Sequence, residues 1–327
     1  MKIAIIGAGA VGGLIGGLLA ERDEDVTIIG RAIQVRAIQS GGLRLSGVVG
    51  ERVVRVDAKE KLEEKPDLAV FATKTQDLAE ACRSAAPLIG ESPVLTMQNG
   101  VRCDEIARRF FAPEQIVGCV VYSMAASLEP GRIDCYVRGW LTIGDPFVRR
   151  PSRLRAIKAT LQKALPVRVS RNLAAARWTK LIGNLNNALP AVTGRPLQEI
   201  YFSRSTSRLP LRLMREGLET LSTAGIPTDR SPQALAMHLT ARAPEALPLA
   251  LFYLLARTRL GRIPFFGSTW QSIVRGSRTE IDYLNGEIVA LGRECEYPTP
   301  YNTRLVHLVH RVEKSGEFYP AEKLWPA

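Results

Sequence analysis

The chain has 327 residues, of which 46% are hydrophobic and 23% charged, and its formal net charge is +12 at pH 7. This length is typical of two domains, and the composition is that of a globular protein rather than a disordered or collagen-like one. The basic residues are scattered without interleaved aromatic residues, so we expect no nucleic acid partner; a positive field would instead attract an anionic cofactor and an acidic substrate. The five cysteines are spaced too widely for a disulfide framework or a zinc site, which favours a reducing, cytoplasmic location.

The chain opens on a short, apolar and β-branched run over residues 1–6, which predicts a buried strand. A glycine-rich segment follows, made of Gly7, Ala8, Gly9, Ala10, Val11 and Gly12. Gly7 can adopt the positive φ of a tight turn, Gly9 lets a pyrophosphate approach the backbone, and Gly12 lets the next helix lie close to the sheet. Because a helix N-terminus attracts anions, the segment predicts a dinucleotide-binding turn.

A second strand is predicted over residues 26–29, and it ends in Gly30 and Arg31. Sites that prefer NAD usually carry Asp or Glu at this place, where the carboxylate binds the ribose 2′-hydroxyl. Arg31 can instead hold a 2′-phosphate through two hydrogen bonds. The sequence therefore predicts NADP(H), with a solvated arginine after the strand as the alternative interpretation.

Residues 3–20 carry no charge, which raises the question of a membrane or signal segment. Six glycines lie within them, each unfavourable in a helix interior, and no small-residue cleavage site follows. The apolar run 246–256 is too short to span a bilayer. We therefore expect no membrane partner and no secretion signal.

Strands and helices alternate along the first half of the chain. We predict a hairpin over 43–45 and 52–56, strands over 67–72, 93–97, 116–123, 132–137, 140–143 and 167–170, and helices ending near 86 and over 102–110 and 152–164. Such alternation indicates a parallel sheet with right-handed crossovers, whose ligands bind beyond the carboxyl ends of the strands. Lys74 and Asn99 both follow strands at that edge.

From residue 172 onward the hydrophobic periodicity is helical. We therefore predict an α/β protein with a Rossmann-type parallel-sheet domain over residues 1–170, which binds NADP(H). An all-helical C-terminal domain follows over residues 171–327, with a role in substrate binding or dimerisation.

The predicted helix 173–190 carries one polar stripe, formed by Arg177, Lys180, Asn184 and Asn187. The opposite face is apolar, with Trp178, Leu181, Ile182, Leu185 and Leu189. A solvated surface helix would show the same pattern, although asparagine is a poor choice for a helix interior. Spacing alone therefore leaves a functional stripe and a surface stripe both open.

Three other polar positions have simple structural interpretations when taken alone. Ser268 is predicted as a helix N-cap, and Glu280 as an acid in the first turn of another helix. His307 and His310 share a helix face, but no Cys, Asp or Glu completes a metal-binding set nearby. We therefore predict a surface pair of histidines and no metal site.

Several short motifs, taken together and in order, resemble the ketopantoate reductase family (the 2-dehydropantoate 2-reductases). They are GAGAVG at 7–12, TKT at 73–75, QNG at 98–100, PGRI at 130–133, RWTKLIGN at 177–184 and GSTWQS…RTEIDYLNG at 267–286. The resemblance implies a Rossmann domain followed by a helical domain, with the active site in the cleft between them. It also implies reduction of a 2-oxo acid by NADPH on the route to pantothenate and coenzyme A, in enzymes that are often homodimers.

The resemblance also implies roles for individual residues. It makes Lys180 the catalytic lysine, a general acid for the oxygen that gains charge as hydride arrives. Asn184 would bind substrate hydroxyls, Ser268 the substrate carboxylate, and Glu280 the substrate while it supports the lysine. Asn99 would contact both the substrate and the cofactor. The full cofactor set implied is Gly7, Ala8, Gly9, Ala10, Val11, Gly12, Arg31, Lys74 and Asn99.

One position departs from the family pattern. Family members usually carry a second asparagine one turn after the first, and here that position is Ala188. Asn187 precedes it and points about 100° away on an ideal helix, so we do not expect it to replace the missing amide. This departure favours a 2-oxo acid reductase in general over ketopantoate in particular. A different oxo acid, a related carbonyl or imine, and a non-catalytic NADPH-binding regulator remain the alternatives.

Overall fold

The computed structural model describes residues 1–203, 206–244 and 264–325. The chain divides into two compact units, Met1–Arg177 and Trp178–Ala327. The division falls later than the predicted boundary at 170/171, because Leu173 and Ala176 pack in one apolar cluster with Val120 of the sheet. The roles that the sequence assigned to the two domains stay predictions.

The first unit is built on an eight-stranded sheet with the order β12-β11-β8-β7-β6-β1-β2-β5, beside a small sheet with the order β4-β3-β10-β9. The strands are β1 (Lys2–Ile6), β2 (Asp25–Ile29), β3 (Leu43–Gly47), β4 (Arg52–Val54), β5 (Asp57–Lys59), β6 (Leu68–Phe71), β7 (Val94–Thr96), β8 (Ile116–Val121), β9 (Met124–Ala126), β10 (Arg132–Val137), β11 (Leu141–Gly144) and β12 (Val167–Val169). Neighbouring strands from β5 to β8 are parallel, and β11 runs antiparallel to β8. The predicted parallel sheet is confirmed. The short strands β5 and β9 were missed because their residues, DAK and MAA, include no β-branched or aromatic side chain.

Five helices belong wholly to this unit: α1 (Ala10–Ala20), α2 (Ala32–Gly41), α3 (Thr75–Ile89), α4 (Cys103–Ala107) and α5 (Pro151–Leu161). Successive residues of β1 point to opposite faces of the sheet, so Ile5 packs with Leu14 of α1 while Ile6 packs with Leu78 of α3. Both faces of the sheet are therefore covered, as parallel sheets require.

The second unit is helical, which confirms the predicted α/β-then-helical order. A sixth helix, α6 (Leu173–Asn184), leads into it, followed by α7 (Ala188–Thr193), α8 (Leu197–Phe202), α9 (Leu209–Thr223), α10 (Pro232–Arg242), α11 (Gly267–Val274), α12 (Asn285–Glu294) and α13 (Pro300–Ser315). Its apolar core joins α7 to α9 and α13. The apolar run 246–256 lies outside the described residues.

The predicted helix 173–190 is not continuous. A 3-10 turn, Leu185–Asn187, separates α6 from α7. Pro190 explains the break, since it has no N–H to donate to the carbonyl of Asn186 and its ring clashes there in a regular helix. The prediction of one helix was therefore wrong in its second half, and Pro190 was the signal that could have shown it.

Two bulk properties bear on the expectations from composition. All five cysteines are present as thiols rather than disulfides. Of the helices in the described part of the chain, none combines the length and the apolar character needed to cross a membrane.

Candidate functional site

The glycine-rich turn between β1 and α1 has the geometry that its sequence predicts. Gly7 has a φ of +123°, and a Cβ there would lie 2.6 Å from the main chain of Ala72 and Thr73. A Cβ on Gly12 would lie 1.9 Å from the carbonyl oxygen of Gly7. Both positions therefore require glycine, and α1 begins directly behind the turn at Ala10.

The space in front of this turn suits a phosphate-bearing ligand. A Cβ built on Gly9 meets no atom of the described residues within 4 Å. The buried hydroxyl of Thr73 has no hydrogen-bond partner in the described part of the chain. The first N–H groups of α1 have no partner within the helix, since the first turn of any helix leaves them unpaired. A dinucleotide phosphate would fit this space, because the approach to Gly9 is open and the hydroxyl of Thr73 can donate to a phosphate oxygen. The helix N-terminus also attracts an anion.

Arg31 lies beside the same turn. The amide of Gly7 donates to the carbonyl of Ile29 at 2.8 Å, and a Cβ on Gly30 would lie 2.6 Å from Cβ of Ala8. Arg31 follows at once as an exposed residue that precedes α2. The structure thus brings this cation to the edge of the glycine turn.

Lys74 and Asn99 also lie at this edge of the sheet. The side-chain amide of Gln98 donates to the carbonyl of Thr73 at 3.2 Å, and the hydroxyl of Thr75 donates to the carbonyl of Asn99 at 3.1 Å. These bonds join the segments that follow β6 and β7. Lys74 and Asn99 are both half-buried. Because β1, β2, β6 and β7 are parallel, the predicted cofactor residues that follow these strands share one edge of the sheet.

Arg177 does not belong to the polar stripe in which the sequence placed it. It is 3% exposed and forms two hydrogen bonds of 2.8 Å to the carboxylate of Asp104, with a third of 3.0 Å to the hydroxyl of Thr96. Burial disfavours its charge, but the Asp104 carboxylate outweighs that effect and raises the pKa of Arg177. Arg177 is therefore a buried structural residue, and the stripe prediction was wrong for it.

Lys180 lies one turn further along α6 and is half-buried. Burial opposes the charged ammonium and lowers its pKa to about 8. A lysine with a pKa this close to neutrality can release a proton at physiological pH, which an ordinary lysine does poorly. Asn184 follows four residues later on the same helix face and is 7% exposed. The apolar face opposite is buried as predicted, with Leu181, Ile182, Leu185 and Leu189.

The 3-10 turn Leu185–Asn187 determines where the side chain of Asn187 lies. Its side-chain amide donates to Oδ1 of Asn184 at 3.4 Å. The sequence placed Asn187 in the polar stripe with Asn184, and this contact agrees with that placement, although the segment winds more tightly immediately after Asn184 than an ideal helix does. Asn187 therefore joins Asn184, whereas Ala188 is buried.

Ser268 and Glu280 differ locally from their predictions. The residue before α11 is Phe266, so Ser268 is the second residue of the helix rather than its N-cap. Glu280 is 8% exposed and precedes a 3-10 turn, Ile281–Tyr283, instead of opening an α-helix. The residues at the N-cap positions of α11 and α12 are Phe266 and Leu284, neither of which caps its helix through its side chain.

His310 has carboxylate partners that the sequence reading overlooked. Its ring nitrogens lie 2.8 Å from Oε2 of Glu313 and 2.9 Å from Oδ1 of Asp282. The other oxygen of Glu313 accepts a hydrogen bond of 2.7 Å from the amide of Thr279. These hydrogen bonds fix residues 279–282, the segment that carries Glu280. Glu313 was visible in the sequence three residues after His310, while Asp282 comes from another element.

Within the described residues, no group of His, Cys, Asp and Glu side chains has the arrangement of a metal site. The chemistry-bearing residues of the second unit are instead a lysine, two amides, a hydroxyl and a carboxylate. Such a set can bind an anionic, oxygen-rich molecule and give it a proton.

Comparison with known proteins covers nearly the whole chain. Residues 3–146 match the family described as ketopantoate reductase PanE/ApbA, and residues 172–313 match the C-terminal part of that family. A 2-dehydropantoate 2-reductase of Pyrococcus horikoshii is 30% identical over 318 residues, which cover 97% of this chain and 99% of that protein.

Solved structures agree. A PanE/ApbA family ketopantoate reductase from Ralstonia eutropha JMP134 is 31% identical, with a TM-score of 0.79 over 96% of this chain and 99% of that one. A D-mandelate dehydrogenase, solved with NADH and anilino(oxo)acetate, has a TM-score of 0.82 at 24% identity over 96% of this chain and 99% of that one. The second likeness shows a common fold. The first, with the full-length sequence matches, confirms the predicted resemblance: the chain belongs to the ketopantoate reductase PanE/ApbA family of oxidoreductases.

Proposed function

We propose that this enzyme uses NADPH to reduce a 2-oxo acid to a 2-hydroxy acid, with ketopantoate as the leading substrate and pantoate as its product. The observation that carries the proposal is Lys180, a half-buried lysine whose pKa is lowered to about 8, on one helix face with Asn184. Reduction of a ketone needs a proton donor for the oxygen, and a lysine of this pKa supplies one near neutrality.

The cofactor is proposed to bind at the edge of the sheet in the first unit. The turn from Gly7 to Gly12 and the N-terminus of α1 would hold the pyrophosphate, Arg31 the 2′-phosphate, and Lys74 and Asn99 the remainder. NADPH, when bound, supplies the hydride, and the protein supplies position, charge and proton. Two observations support this assignment: the approach to Gly9 is open, and the hydroxyl of Thr73 has no partner among the residues that the structure describes.

The residues of the second unit are proposed to bind the 2-oxo acid. The ammonium of Lys180 stabilises the negative charge that develops on the carbonyl oxygen and then donates its proton there. Ser268 lies in the first turn of α11, where a hydroxyl and main-chain N–H groups suit the substrate carboxylate. Asn184 binds substrate hydroxyls, and Glu280 favours the protonated state of Lys180 and assists substrate binding.

The first experiment follows NADPH oxidation with ketopantoate and with a panel of 2-oxo acids. The panel includes an aryl 2-oxo acid, because a D-mandelate dehydrogenase shares this fold. We expect ketopantoate to give the highest kcat/KM. Efficient turnover of another 2-oxo acid without turnover of ketopantoate would rule out ketopantoate as the substrate. The proposed reduction of a 2-oxo acid would still stand.

The role of Lys180 is tested by Lys180→Ala, with the exposed Lys314→Ala as the matched control. We expect the first variant to lose about two to four orders of magnitude in kcat, the usual contribution of a positioned proton donor. NADPH affinity should hardly change. Unaltered turnover would exclude Lys180 as the donor.

The cofactor preference is tested by Arg31→Ala, with Arg36→Ala as the control on the exposed face of α2. The unaltered protein is expected to prefer NADPH over NADH, and only Arg31→Ala should narrow that preference. Equal use of both cofactors by the unaltered protein would contradict the assignment of Arg31.

Two further expectations and two alternatives belong to this proposal. A homodimer is expected by resemblance, and sedimentation equilibrium of the full chain would measure it. The cysteine thiols suit a cytoplasmic location. NADPH binding without turnover of any carbonyl compound would favour the alternative of a non-catalytic regulator, whereas turnover of an imine would shift the substrate class.

A further inference from the structure

The PGRI turn, residues 130–133, leads into β10 of the small sheet, and the proposed reaction assigns no role to it. The main-chain amide of Gly131 donates to Oε1 of Gln34 at 3.0 Å, and the carbonyl of Gly131 accepts from the amide of Arg44 at 2.8 Å. Gln34 lies in the first turn of α2, and Arg44 lies in β3, which follows that helix. The turn is therefore hydrogen-bonded to the chain on both sides of α2.

The PGRI turn also lies directly against the middle of α2. Gly131 has a φ of +70°, and a Cβ built on it would lie 3.1 Å from Cβ of Ala37 and 3.3 Å from the main-chain carbon of Ala37. A residue with a side chain is strained at this φ, and its Cβ would crowd the helix. Glycine therefore allows the turn to approach α2 closely.

The same turn contacts α1. A Cβ built on Gly13 would lie 2.6 Å from Cδ1 of Ile133, so the side chain of Ile133 lies close to the main chain of α1. Because Gly131 contacts α2 and Ile133 contacts α1, the PGRI turn fixes the two helices relative to one another. The N-terminus of α1 is the proposed pyrophosphate site, and Arg31 directly precedes α2. The turn therefore determines where Arg31 lies relative to the pyrophosphate.

Gln34 connects the PGRI turn to Arg31. The main-chain amide of Gln34 donates to the carbonyl of Arg31 at 2.9 Å. A Cβ built on Gly30 would lie 3.7 Å from Cβ of Gln34 and 2.6 Å from Cβ of Ala8, so the stem of Gln34 lies beside the glycine turn. Gly131 is buried, and its N–H needs the acceptor that Gln34 supplies.

We propose that Gln34 and the PGRI turn hold Arg31 in position for a 2′-phosphate and thereby set the preference for NADPH over NADH. The inference rests on the proposed binding of NADPH. Two hydrogen bonds from an arginine to a phosphate depend on the orientation of the guanidinium as well as on its charge. A helix start that is fixed before the cofactor arrives lowers the entropic cost of binding. NADH has a hydroxyl at this place, so its affinity depends less on Arg31. Gln34 is a positioning residue, since it acts through Arg31.

The test measures the Kd of NADPH and of NADH by calorimetric titration of the full-length protein. Gln34→Met keeps the length of the side chain and removes the acceptor for the amide of Gly131. We expect the Kd of NADPH to rise about 3- to 10-fold, the range expected for one hydrogen bond. The Kd of NADH should change less than about twofold. Gln39→Met is the matched control, because Gln39 lies on the same helix and donates instead to the carbonyl of Ala58 at 2.8 Å. It should leave the ratio of the two Kd values unchanged.

A double-mutant cycle with Arg31→Ala separates positioning from a general structural effect. If Gln34 acts through Arg31, Gln34→Met should cause no further loss of NADPH affinity in the Arg31→Ala protein. Gly131→Ala changes the turn itself, so it should lower NADPH affinity in the unaltered background and lose that effect in the Arg31→Ala background.

Equal losses for NADPH and NADH in Gln34→Met would overturn the proposal, as would a loss of NADPH affinity that is the same with and without Arg31. An unchanged Kd of NADPH in Gln34→Met would also overturn it. If the unaltered protein bound both cofactors equally well, the proposed role of Arg31 would fail, and this inference with it. If Gln34→Met and the cycle gave the expected results but no 2-oxo acid were reduced, the proposed reaction would fail and this inference would stand.

Discussion

The side-chain amide of Asn285 donates to the main-chain carbonyl of Leu185 at 3.1 Å, and its second N–H reaches Oδ1 of Asn302 at 2.8 Å. Leu185 opens the 3-10 turn that ends in Asn187, and Asn285 opens α12. One buried amide thus connects the lysine-bearing segment to the segment that follows Glu280. Asn285 belongs to the TEIDYLNG motif and Leu185 directly follows the RWTKLIGN motif, so these two segments of the second unit are hydrogen-bonded to each other.

Removing this amide is expected to weaken the whole unit. Asn285→Ala would leave the Leu185 carbonyl and Asn302 without this donor, and each such loss costs about 1–3 kcal/mol. We expect the free energy of unfolding, measured in urea, to fall by about 2–4 kcal/mol, together with a loss of substrate affinity. A change smaller than about 0.5 kcal/mol, the range of ordinary surface substitutions, would show that the connection is not structural.

The glycine turn gives a pair of variants that separate binding from folding. A Cβ on Gly9 meets no described atom within 4 Å, whereas one on Gly12 would lie 1.9 Å from a carbonyl oxygen. Gly9→Ala should therefore fold with a loss of about 1 kcal/mol or less. It should weaken NADPH binding at least tenfold, because the methyl group occupies the approach to the backbone.

Gly12→Ala is the comparison, since here the methyl group collides with the main chain. We expect it to lower stability by about 1–3 kcal/mol or more. Calorimetric titration with NADPH and thermal unfolding measure the two effects separately. Normal NADPH affinity in Gly9→Ala would place the pyrophosphate elsewhere.

Arg177 and Asp104 form a buried pair whose energetics can be measured by a double-mutant cycle. Arg177→Met leaves the Asp104 carboxylate buried without its counter-ion, and breaking such pairs costs about 3–5 kcal/mol. The double variant with Asp104→Leu removes both charges and should recover most of that loss. If the double variant were as unstable as the sum of the single ones, the two residues would not be coupled.

These contacts show which parts of the site the sequence could predict. The glycine turn was predictable because local sterics require glycine at Gly7 and Gly12. The shared helix face of Lys180 and Asn184 was predictable because both residues lie on one regular helix. Arg177 fitted the same periodicity, but its partner Asp104 lies 73 residues away in the chain. No pattern in the helix itself distinguishes a buried ion pair from an exposed cation.

The tighter winding of the segment that carries Asn187 escaped prediction for a similar reason. Pro190 indicated a break, yet the winding of the turn also depends on a hydrogen bond from Asn285, 100 residues further on. The short strands β5 and β9 were invisible because their pairing, rather than their composition, defines them. Local patterns therefore gave the elements, and long-range hydrogen bonds set the geometry of the site.

The hydrogen bonds of His310 to Glu313 and Asp282 predict a pH-dependent contribution to stability. Partial burial opposes its charge, but hydrogen bonds to Glu313 and Asp282 outweigh that effect and raise its pKa above the ordinary 6.5. The contribution is therefore complete below pH 6.5 and is lost as the pH rises through the raised value. Because His310 and its two carboxylate partners are partly exposed, we expect the charge of His310 to contribute about 0.5 kcal/mol to the free energy of unfolding.

Unfolding midpoints of His310→Gln and of the unaltered protein should therefore converge as the pH rises from 5.5 to 8.5, two limits chosen about one unit or more on either side of the ordinary range. The exposed His307→Gln is the control and should show no such convergence. A constant difference across this range would mean that the His310 charge does not contribute.

Lys180 predicts both a pH–rate profile and a stability effect. With a pKa of about 8, the protonated donor disappears above that pH, so kcat/KM for reduction should fall about tenfold per pH unit there. Oxidation of the 2-hydroxy acid needs the neutral amine as a base and should rise through the same pH. Two opposite profiles with a common midpoint would identify one group acting in both directions.

The same shift has a consequence for folding. In the unfolded chain the lysine has its ordinary pKa of 10.5, so between about pH 8 and 10.5 the unfolded state binds more protons and stability rises with pH. Lys180→Met removes the buried charge, and we expect it to raise the free energy of unfolding at pH 7 while it abolishes turnover. Chemical denaturation at pH 7 and at pH 10.5 measures this gain, which should shrink at the higher pH. A gain that was equal at both pH values would arise from packing alone, and it would contradict a pKa lowered by burial of the ammonium.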